Sequence, residues 1–200
     1  MKQILASGSP RRAELLRAAG FEFLVEAKPV DESRLKDEPA ERLVERLAML
    51  KASAIAKIQK DDAIVLGADT VVTIDGEILG KPGVPEVART MLRKLRGREH
   101  RVITGIALVA LQNGVPSAHI MPSTSHEITR VWMSQMTDEE IDDYVATGEP
   151  LDKAGAYAIQ GQASRFIPRI DGCYFNVVGL PISKVSQMLA KFRKELRGKD

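Results

Sequence analysis

The first residues suited to chemistry are Ser7-Gly8-Ser9-Pro10-Arg11-Arg12, which follow the first predicted strand and begin the first predicted helix. Backbone N–H groups at a helix N-terminus point outward and carry partial positive charge, which favours bound anions. The serines add hydroxyl donors, the glycine allows close approach to the backbone, and the arginines add charged donors. The segment predicts a phosphate-binding site, although a capped helix with solvated arginines fits the same residues equally well.

A second candidate is the carboxylate of Asp69 in Gly67-Ala68-Asp69-Thr70, which follows an apolar stretch and is expected at a strand end. Such a carboxylate could activate water or hold Mg²⁺, and a simple turn aspartate is the alternative. Lys81-Pro82 follows one hairpin length later, so we expect the hairpin to return Lys81 towards Asp69. An acid beside a lysine suits phosphoryl chemistry, because the lysine offsets the charge on the phosphates.

Two further segments are weaker candidates for a ligand site. Asp31-Glu32 lies in a loop after the second predicted strand, where a solvated acidic loop is the simpler interpretation. Residues 149–161 are rich in glycine and alanine and mixed in charge. Loops of this kind often let a ligand pack against the backbone.

Several familiar sites are excluded by their spacing. In Gly76-Glu77-Ile78-Leu79-Gly80-Lys81-Pro82, three residues instead of four separate the glycines, and Pro stands where a phosphate loop needs Ser or Thr. No Gly-x-Gly-x-x-Gly follows a strand, so a dinucleotide site has no support. His100, His119 and His126 show no metal-ligand spacing, and we interpret Cys173 as a small buried residue rather than a nucleophile.

The alternation of strand-like and helix-like segments predicts an α/β fold. Helices are expected over 9–19, 39–58, 85–95 and 181–197, with a further helix after the capping box that Thr137 and Glu140 form. Strands are expected over 2–6, 21–25, 63–66, 70–74, 77–79, 101–111 and 127–133, and Asp75-Gly76 predicts a hairpin turn. The apolar face of the second helix is assigned to Leu43, Leu47, Leu50 and Ala54, with Lys51 beside it.

Composition narrows the class of partner. The 200 residues include 29 basic and 27 acidic side chains, which gives a formal net charge of +2, and 4% of residues are aromatic. This balance argues against a nucleic-acid surface. No apolar run reaches the length of about eighteen residues that a membrane span needs, and the N-terminal apolar stretch is too short for a secretory signal. With a single cysteine, the sequence predicts a cytoplasmic protein without a disulfide framework.

Four segments, in order along the chain, together resemble the Maf family of nucleoside triphosphate pyrophosphatases. They are 5–12 at the start, Gly67-Ala68-Asp69-Thr70 with Lys81-Pro82, 149–161 from Glu149-Pro150 to Gln160-Gly161, and Val178-Gly179-Leu180-Pro181 before the last helix. Each motif alone is weak, but four in register over essentially the whole chain are specific.

The resemblance implies a fold and a reaction. The expected fold is a single domain over 1–200, an elongated mixed β-sheet with flanking helices and two lobes around a central cleft, similar to inosine triphosphate pyrophosphatases. The expected reaction is attack of water on the α-phosphorus of a nucleoside triphosphate, which releases the monophosphate and pyrophosphate. A divalent metal cation, Mg²⁺ or Mn²⁺, and a homodimer are also implied.

The resemblance also assigns roles to residues. Asp69 matches the catalytic base and, with Glu32, is a candidate metal ligand. Phosphate-binding positions match Arg12, Lys51 and Lys81, and further pocket positions match Ser7 and Glu32. Positions linked to base preference match Arg11, Thr70 and Gln160, a combination similar to the dTTP/UTP branch. A side-chain amide such as that of Gln160 can both donate to and accept from the O4/N3 edge of a pyrimidine.

Alternatives remain open at this point. A 7-methyl-GTP branch of the family carries Gln in place of Thr after the catalytic Asp. The association of the family with septum formation also allows a housecleaning role linked to division control, or a non-catalytic regulator that binds a nucleotide or a partner. Another phosphohydrolase would release orthophosphate instead of pyrophosphate. The segment around 119–126 is longer than the resemblance predicts and is interpreted as a surface hairpin extension.

Overall fold

The structure is a computed structural model that describes residues 1–117 and 121–197. Its strands are β1 (Lys2–Ala6), β2 (Leu24–Glu26), β3 (Ala63–Ile74), β4 (Glu77–Leu79), β5 (Glu99–Gln112), β6 (Val115–Pro116), β7 (Ser123–Trp132) and β8 (Arg169–Asp171). Its α-helices are α1 (Pro10–Ala18), α2 (Ala40–Ala56), α3 (Pro85–Leu95), α4 (Asp138–Ala146), α5 (Tyr174–Val178) and α6 (Ile182–Arg197). The 118–120 part of the expected hairpin extension lies outside the described residues.

The strands form one mixed sheet in the order β2-β1-β3-β5-β7-β8, with β4 paired to β3 and β6 paired to β5. Strand β1 is parallel to both β2 and β3, whereas β4, β6 and β8 run antiparallel to their partners. In the parallel pair of β1 and β3, Ala6 lies opposite Gly67. The expected α/β class, an open mixed sheet with flanking helices, is confirmed.

Contacts divide the chain into two compact units. The first contains Met1–Asp69, Thr104–Glu127 and Gly179–Asp200, and the second contains Thr70–Ile103 and Ile128–Val178. A core of small and branched apolar side chains from β1, α2, β3 and β5 fills the first unit. The second has its own core around α3, α4 and the segment that follows α4. The expected arrangement of two lobes around a cleft stays a prediction.

Helix α2 packs unusually close to the strands of the first unit, because two strand positions facing it have no side chain. A Cβ at Gly67 would lie 2.0 Å from the carbonyl oxygen of Ala48, and one at Gly105 would lie 2.2 Å from that of Val44. Small residues on the helix complete the fit, since Ala48 and Ala52 are fully buried. This close packing determines how near the side chains of α2 come to β3.

Two sequence-based expectations about this region were wrong. The segments 63–66 and 70–74 are not separate strands, because β3 continues through Gly67, Ala68 and Asp69 without a turn. The apolar face of α2 is also shifted: Leu50 is 39% exposed, while Val44 and Ile55 are buried in its place. Gly67, which suggested a turn, in fact marks the place where α2 contacts the strand. The contact face of the helix was wrong for a different reason: it includes the small residues Ala48 and Ala52 rather than Leu50.

In the second unit, local signals predicted the elements more accurately. Helix α3 has the expected bounds, and the capping box of α4 is present, with Thr137 Oγ1 accepting from the Glu140 N–H and Glu140 accepting from the Thr137 N–H. The segment after α4 contains three short 3₁₀ turns among the described residues, followed by the short strand β8. Cys173 is half-buried rather than fully buried.

Candidate active site

The carboxylate of Asp69 lies inside strand β3, with its side chain 11% exposed. Its Oδ1 accepts a hydrogen bond from Lys51 Nζ at 2.5 Å. The Lys51 side chain reaches it from α2 and is itself 16% exposed. A largely buried carboxylate is therefore balanced by a largely buried ammonium group, as burial of charge requires.

Lys51 also contacts a second carboxylate from a different part of the chain. Its Nζ lies 2.8 Å from Glu32 Oε1, in the loop between β2 and α2, and the Glu32 side chain is 58% exposed. Two carboxylates, one buried and one facing solvent, thus converge on one ammonium group. Lys51 was expected among the phosphate-binding positions, and the structure brings it together with Asp69 and Glu32.

Arg12 is almost completely buried and connects three parts of the first unit. Its Nε donates to the carbonyl oxygen of Gly179 at 2.9 Å, and its Nη1 donates to Ser7 Oγ at 3.1 Å and to the carbonyl oxygen of Ala68 at 2.9 Å. Burial lowers the pKa of Arg12 from its usual value, and the nearby charge of Asp69 opposes that shift. The guanidinium group therefore holds the residue that directly precedes Asp69.

The turn between β1 and α1 has the backbone arrangement of an anion site. Helix α1 begins at Pro10, and the Ser9 hydroxyl makes no cap hydrogen bond within the described residues, so it leaves the N–H groups of the first turn uncapped. Ser7 is buried, and its Oγ accepts from the Ser9 N–H at 3.2 Å. Arg11 is half-buried on the first turn of α1. An alanine at position 8 would make only an ordinary 3.8 Å contact with Ala27, so packing does not require the glycine there.

The remaining expected residues, Thr70, Lys81 and Gln160, belong to the second unit. Thr70 is half-buried in β3, whereas Lys81 and Gln160 are exposed. Backbone hydrogen bonds on both sides of Lys81 join its loop to the segment after α4: the Gly155 N–H donates to the Gly80 carbonyl oxygen at 3.1 Å, and the Gly83 N–H to that of Leu151 at 3.0 Å. The loops that carry Lys81 and Gln160 are therefore tied together.

Contacts of Tyr144 and Glu149 that the sequence does not predict anchor the segment carrying Gln160. The buried hydroxyl of Tyr144 donates to Glu149 Oε1 at 2.7 Å and accepts from the Ala158 N–H at 3.2 Å. The other carboxylate oxygen of Glu149 accepts from the Gln162 N–H at 3.2 Å. Burial raises the pKa of Tyr144, which keeps the hydroxyl protonated as the donor. The sequence gives no signal for these contacts, because the spacing of Tyr144 also fits the buried apolar face of α4.

A buried pair supports the same segment from its other side. The Tyr157 hydroxyl lies 2.8 Å from His100 Nε2. Burial raises the pKa of Tyr157 and lowers that of His100 to about 4, so both the phenol and the imidazole are neutral at neutral pH. His100 thus has a packing role, in agreement with the absence of metal-ligand spacing in the sequence.

Side chains that could bind a metal ion do not form large clusters in the part of the chain that the structure describes. Within residues 1–117 and 121–197, no three or more His, Cys, Asp or Glu side chains form a group that could hold a metal ion. The carboxylates that share a neighbour at the candidate site are Asp69 and Glu32, through Lys51. Among the same residues, no helix is long and apolar enough to cross a membrane.

Comparison with known proteins gives a consistent result. A family model described as Maf-like protein matches residues 2–192. A dTTP/UTP pyrophosphatase of Symbiobacterium thermophilum is 50% identical over 190 residues, which are 94% of this chain and 93% of the relative. A dTTP/UTP pyrophosphatase of Pelotomaculum thermopropionicum is 47% identical over 193 residues, 96% of this chain and 97% of the relative.

Solved structures show a more distant similarity. A nucleoside-triphosphatase / dITP/XTP pyrophosphatase from Mycobacterium abscessus aligns at 15% identity over 96% of each chain, with a TM-score of 0.42. The Ham1 protein of Staphylococcus aureus aligns at 15% identity over 96% of this chain and 99% of its own, with a TM-score of 0.49. The relationship of this chain to known proteins therefore rests on the family model and the sequence relatives.

Proposed function

The chain belongs to the Maf family, and we propose that it hydrolyses dTTP and UTP to the nucleoside monophosphate and pyrophosphate. Relatives that are 50% and 47% identical and named dTTP/UTP pyrophosphatase support this proposal. The structural observation that carries it is the convergence of Asp69 and Glu32 on Lys51. Carboxylates and an ammonium group in one partly buried site are the groups that phosphoryl transfer needs.

The proposed reaction is a displacement at the α-phosphorus. The oxygen of a water molecule forms a bond to this phosphorus, and the bond from the phosphorus to the oxygen that bridges the α- and β-phosphates breaks. Pyrophosphate leaves with the electron pair of that bond, and the proton of the water passes to a base. We assign the base, or the group that orients the water, to Asp69, because it is the buried and firmly held carboxylate of the pair.

Positive charge offsets the negative charge that accumulates on the leaving pyrophosphate. We propose that the Lys51 ammonium group, which lies beside both carboxylates, contacts the phosphates, and that Lys81 adds a second ammonium group. Arg12 is only 8% exposed, so we propose that it acts mainly by holding Ser7 and the carbonyl group of Ala68. Its positive charge acts on the phosphates at longer range, without direct contact. The N–H groups of the first turn of α1, together with Arg11, complete the proposed anion site.

The donor set is compatible with the divalent cation that the family resemblance implies. Mg²⁺ usually takes one or two protein carboxylates together with substrate phosphate oxygens, and Asp69 and Glu32 are two such carboxylates next to each other around Lys51. When bound there, Mg²⁺ or Mn²⁺ would supply charge neutralisation on the phosphates. We propose Asp69 and Glu32 as its protein ligands.

Base preference is proposed to depend on Arg11, Thr70 and Gln160. The exposed amide of Gln160 can donate to and accept from the edge of a pyrimidine base. A site built for that pattern of hydrogen bonds disfavours a base that leaves its polar groups unpaired. Thr70 stands where the 7-methyl-GTP branch is expected to carry Gln, which supports the pyrimidine branch.

Product analysis tests the proposal. The purified protein is incubated with Mg²⁺ or Mn²⁺ and dTTP, UTP, CTP, GTP, 7-methyl-GTP or ATP, and pyrophosphate and orthophosphate are measured separately. We expect pyrophosphate from dTTP and UTP, and a loss of about 10²-fold or more in Asp69→Asn. Asp61→Asn is the matched control, because Asp61 is 67% exposed and pairs with Lys2 outside the site; it should retain full activity.

Each of the other outcomes leads to a different conclusion. Pyrophosphate mainly from 7-methyl-GTP would retain the reaction and reject the assigned base preference. Orthophosphate as the first product would favour a different phosphohydrolase. Full activity in Asp69→Asn would remove Asp69 from its role, and binding of dTTP without any product would favour the non-catalytic regulator.

The homodimer, the cytoplasmic location and the link to division control also stay proposals. The family resemblance supports the dimer and the division link, and a single cysteine is compatible with a reducing compartment. Sedimentation of the purified chain measures whether it is a dimer. A fluorescent fusion expressed in a deletion strain measures where the protein lies and whether cell division depends on it.

A further inference from the structure

The loop that carries Glu32 is held by contacts outside the proposed active site. This loop, residues 27–39, connects β2 to α2 and has no regular secondary structure apart from a turn at 36–37. Glu32 itself is 58% exposed and forms an ion pair with Lys51. An exposed side chain on an irregular loop has much conformational freedom, so something else must hold the loop if Glu32 is to act at a defined place.

Arg46 of α2 supplies that support with three hydrogen bonds. Its Nε donates to Glu38 Oε1 at 2.6 Å, and its Nη2 donates to Glu38 Oε2 at 2.7 Å. The same Nη2 donates to the carbonyl oxygen of Ser33 at 3.0 Å. A guanidinium fork on a carboxylate is both strong and geometrically specific, and the third bond fixes the residue directly after Glu32.

Glu38 is the buried centre around which the loop folds. Its side chain is 8% exposed, and the hydrogen bond from Arg46 lowers its pKa below the usual value. Its Oε2 also accepts from the Leu35 N–H at 3.1 Å, and its carbonyl oxygen accepts from Arg34 Nε and Nη2 at 2.9 and 2.7 Å. Groups of Arg34, Leu35 and Arg46 thus all converge on Glu38.

Helix α2 therefore holds the loop at two points five residues apart. Arg46 binds Ser33 and Glu38, and Lys51 binds Glu32. We propose that Arg46 and Glu38 are positioning residues, which hold the Glu32 carboxylate against Lys51 and thereby keep it beside Asp69. This inference rests on the proposed function of the Lys51 site and adds two residues that touch neither the substrate nor the reacting atoms.

A double-mutant cycle on kcat/KM separates positioning from a general structural effect. Arg46→Met keeps the apolar stem and removes the fork, and Glu32→Gln removes the carboxylate that is being positioned. We expect each single variant to lower kcat/KM for dTTP by roughly ten- to a hundredfold. The double variant should be no slower than Glu32→Gln alone, because a carboxylate that is already missing cannot be misplaced.

Two further variants complete the cycle. Arg42→Met is the matched control on the same helix, since Arg42 is 77% exposed and lies 3.5 Å from Glu45; it should behave as the wild type. Arg46→Lys keeps the charge without the bidentate fork and should recover only part of the lost activity. Losses from Arg46→Met and Glu32→Gln that multiply in the double variant would overturn the proposal.

Limited proteolysis gives a readout that does not depend on activity. Arg34 and Lys36 lie in the loop and are exposed trypsin sites. We expect trypsin to cut there several times faster in Arg46→Met than in the wild type or Arg42→Met, while the thermal midpoint stays high enough to exclude global unfolding. An unchanged cleavage rate would show that Arg46 does not hold the loop.

The two readouts distinguish the possible failures. If the wild type releases no pyrophosphate from any nucleotide, the proposed function fails, and the cleavage rates still decide whether Arg46 holds the loop. If the wild type is active, and Arg46→Met loosens the loop without lowering kcat/KM, the proposed function stands and the positioning role is wrong.

Discussion

Replacing Lys51 with methionine would keep the apolar stem of the side chain and remove the charge that holds Asp69 and Glu32. Asp69 is 11% exposed and Lys51 16% exposed, so the variant leaves a largely buried carboxylate without its partner at 2.5 Å. Removing one partner of a fully buried ion pair costs about 3–5 kcal/mol. Because the charge of Arg12 remains near Asp69, and residual exposure lets water reach the carboxylate, we expect a loss of about 2–3 kcal/mol in the free energy of unfolding at pH 7.

Urea unfolding followed by circular dichroism measures this loss. With a slope of about 2 kcal/mol per M, the midpoint should fall by about 1 M or more. The double variant Lys51→Met with Asp69→Asn is the stricter test. It should be more stable than Lys51→Met alone, because a neutral amide needs no counter-charge. Lys57→Met, at an exposed position just after α2, should change the midpoint little. A double variant as unstable as Lys51→Met would refute the view that an uncompensated carboxylate causes the loss.

Two other predictions follow from the packing and from the second unit. Gly67→Ala would place a Cβ 2.0 Å from the Ala48 carbonyl oxygen, so α2 must move. We expect a loss of about 1–3 kcal/mol in the free energy of unfolding measured with urea. Gly80→Ala, whose added Cβ would have no atom within 4 Å, should be nearly neutral. Tyr144→Phe removes the hydroxyl that joins Glu149 to the segment carrying Gln160, so kcat/KM for dTTP relative to GTP should fall by roughly tenfold in steady-state assays. An unchanged ratio would mean that the anchor does not control base preference.

The sequence was enough to predict elements that begin and end through interactions between neighbouring residues of the chain. The bounds of α3 follow from Pro85 at its start and the apolar spacing within it, and the capping box of α4 satisfies its N–H groups with side chains of the same turn. The Asp75-Gly76 turn has φ angles of +51° and +78°, the left-handed pair that a tight hairpin requires. None of these features depends on a distant part of the chain.

The errors arose where distant parts of the chain meet. Gly67 and Ala68 looked like a turn because small residues are common in turns. In the structure both lie inside β3, and Gly67 admits a helix whose contact positions are about twenty residues away in sequence. Asp69 and Glu32 were identified as candidates, yet only the structure shows that Lys51 joins them. Glu38 and Arg46 gave no signal at all, because a charged residue on a helix or in a loop is usually a solvated one.

Helix α2 links the stability of the first unit to its chemistry. Its backbone at Ala48 and Val44 packs against Gly67 and Gly105. Its Lys51 balances the buried carboxylate, and its Arg46 holds the loop that carries Glu32. A shift of this helix would therefore disturb packing, charge balance and loop position together. Arg12 separately holds β3 next to Asp69, through the Ala68 carbonyl group. Asp69 needs a strand position of this kind because a carboxylate that orients water works only when its own position is fixed to a fraction of an ångström, and a solvent-exposed turn would not provide that.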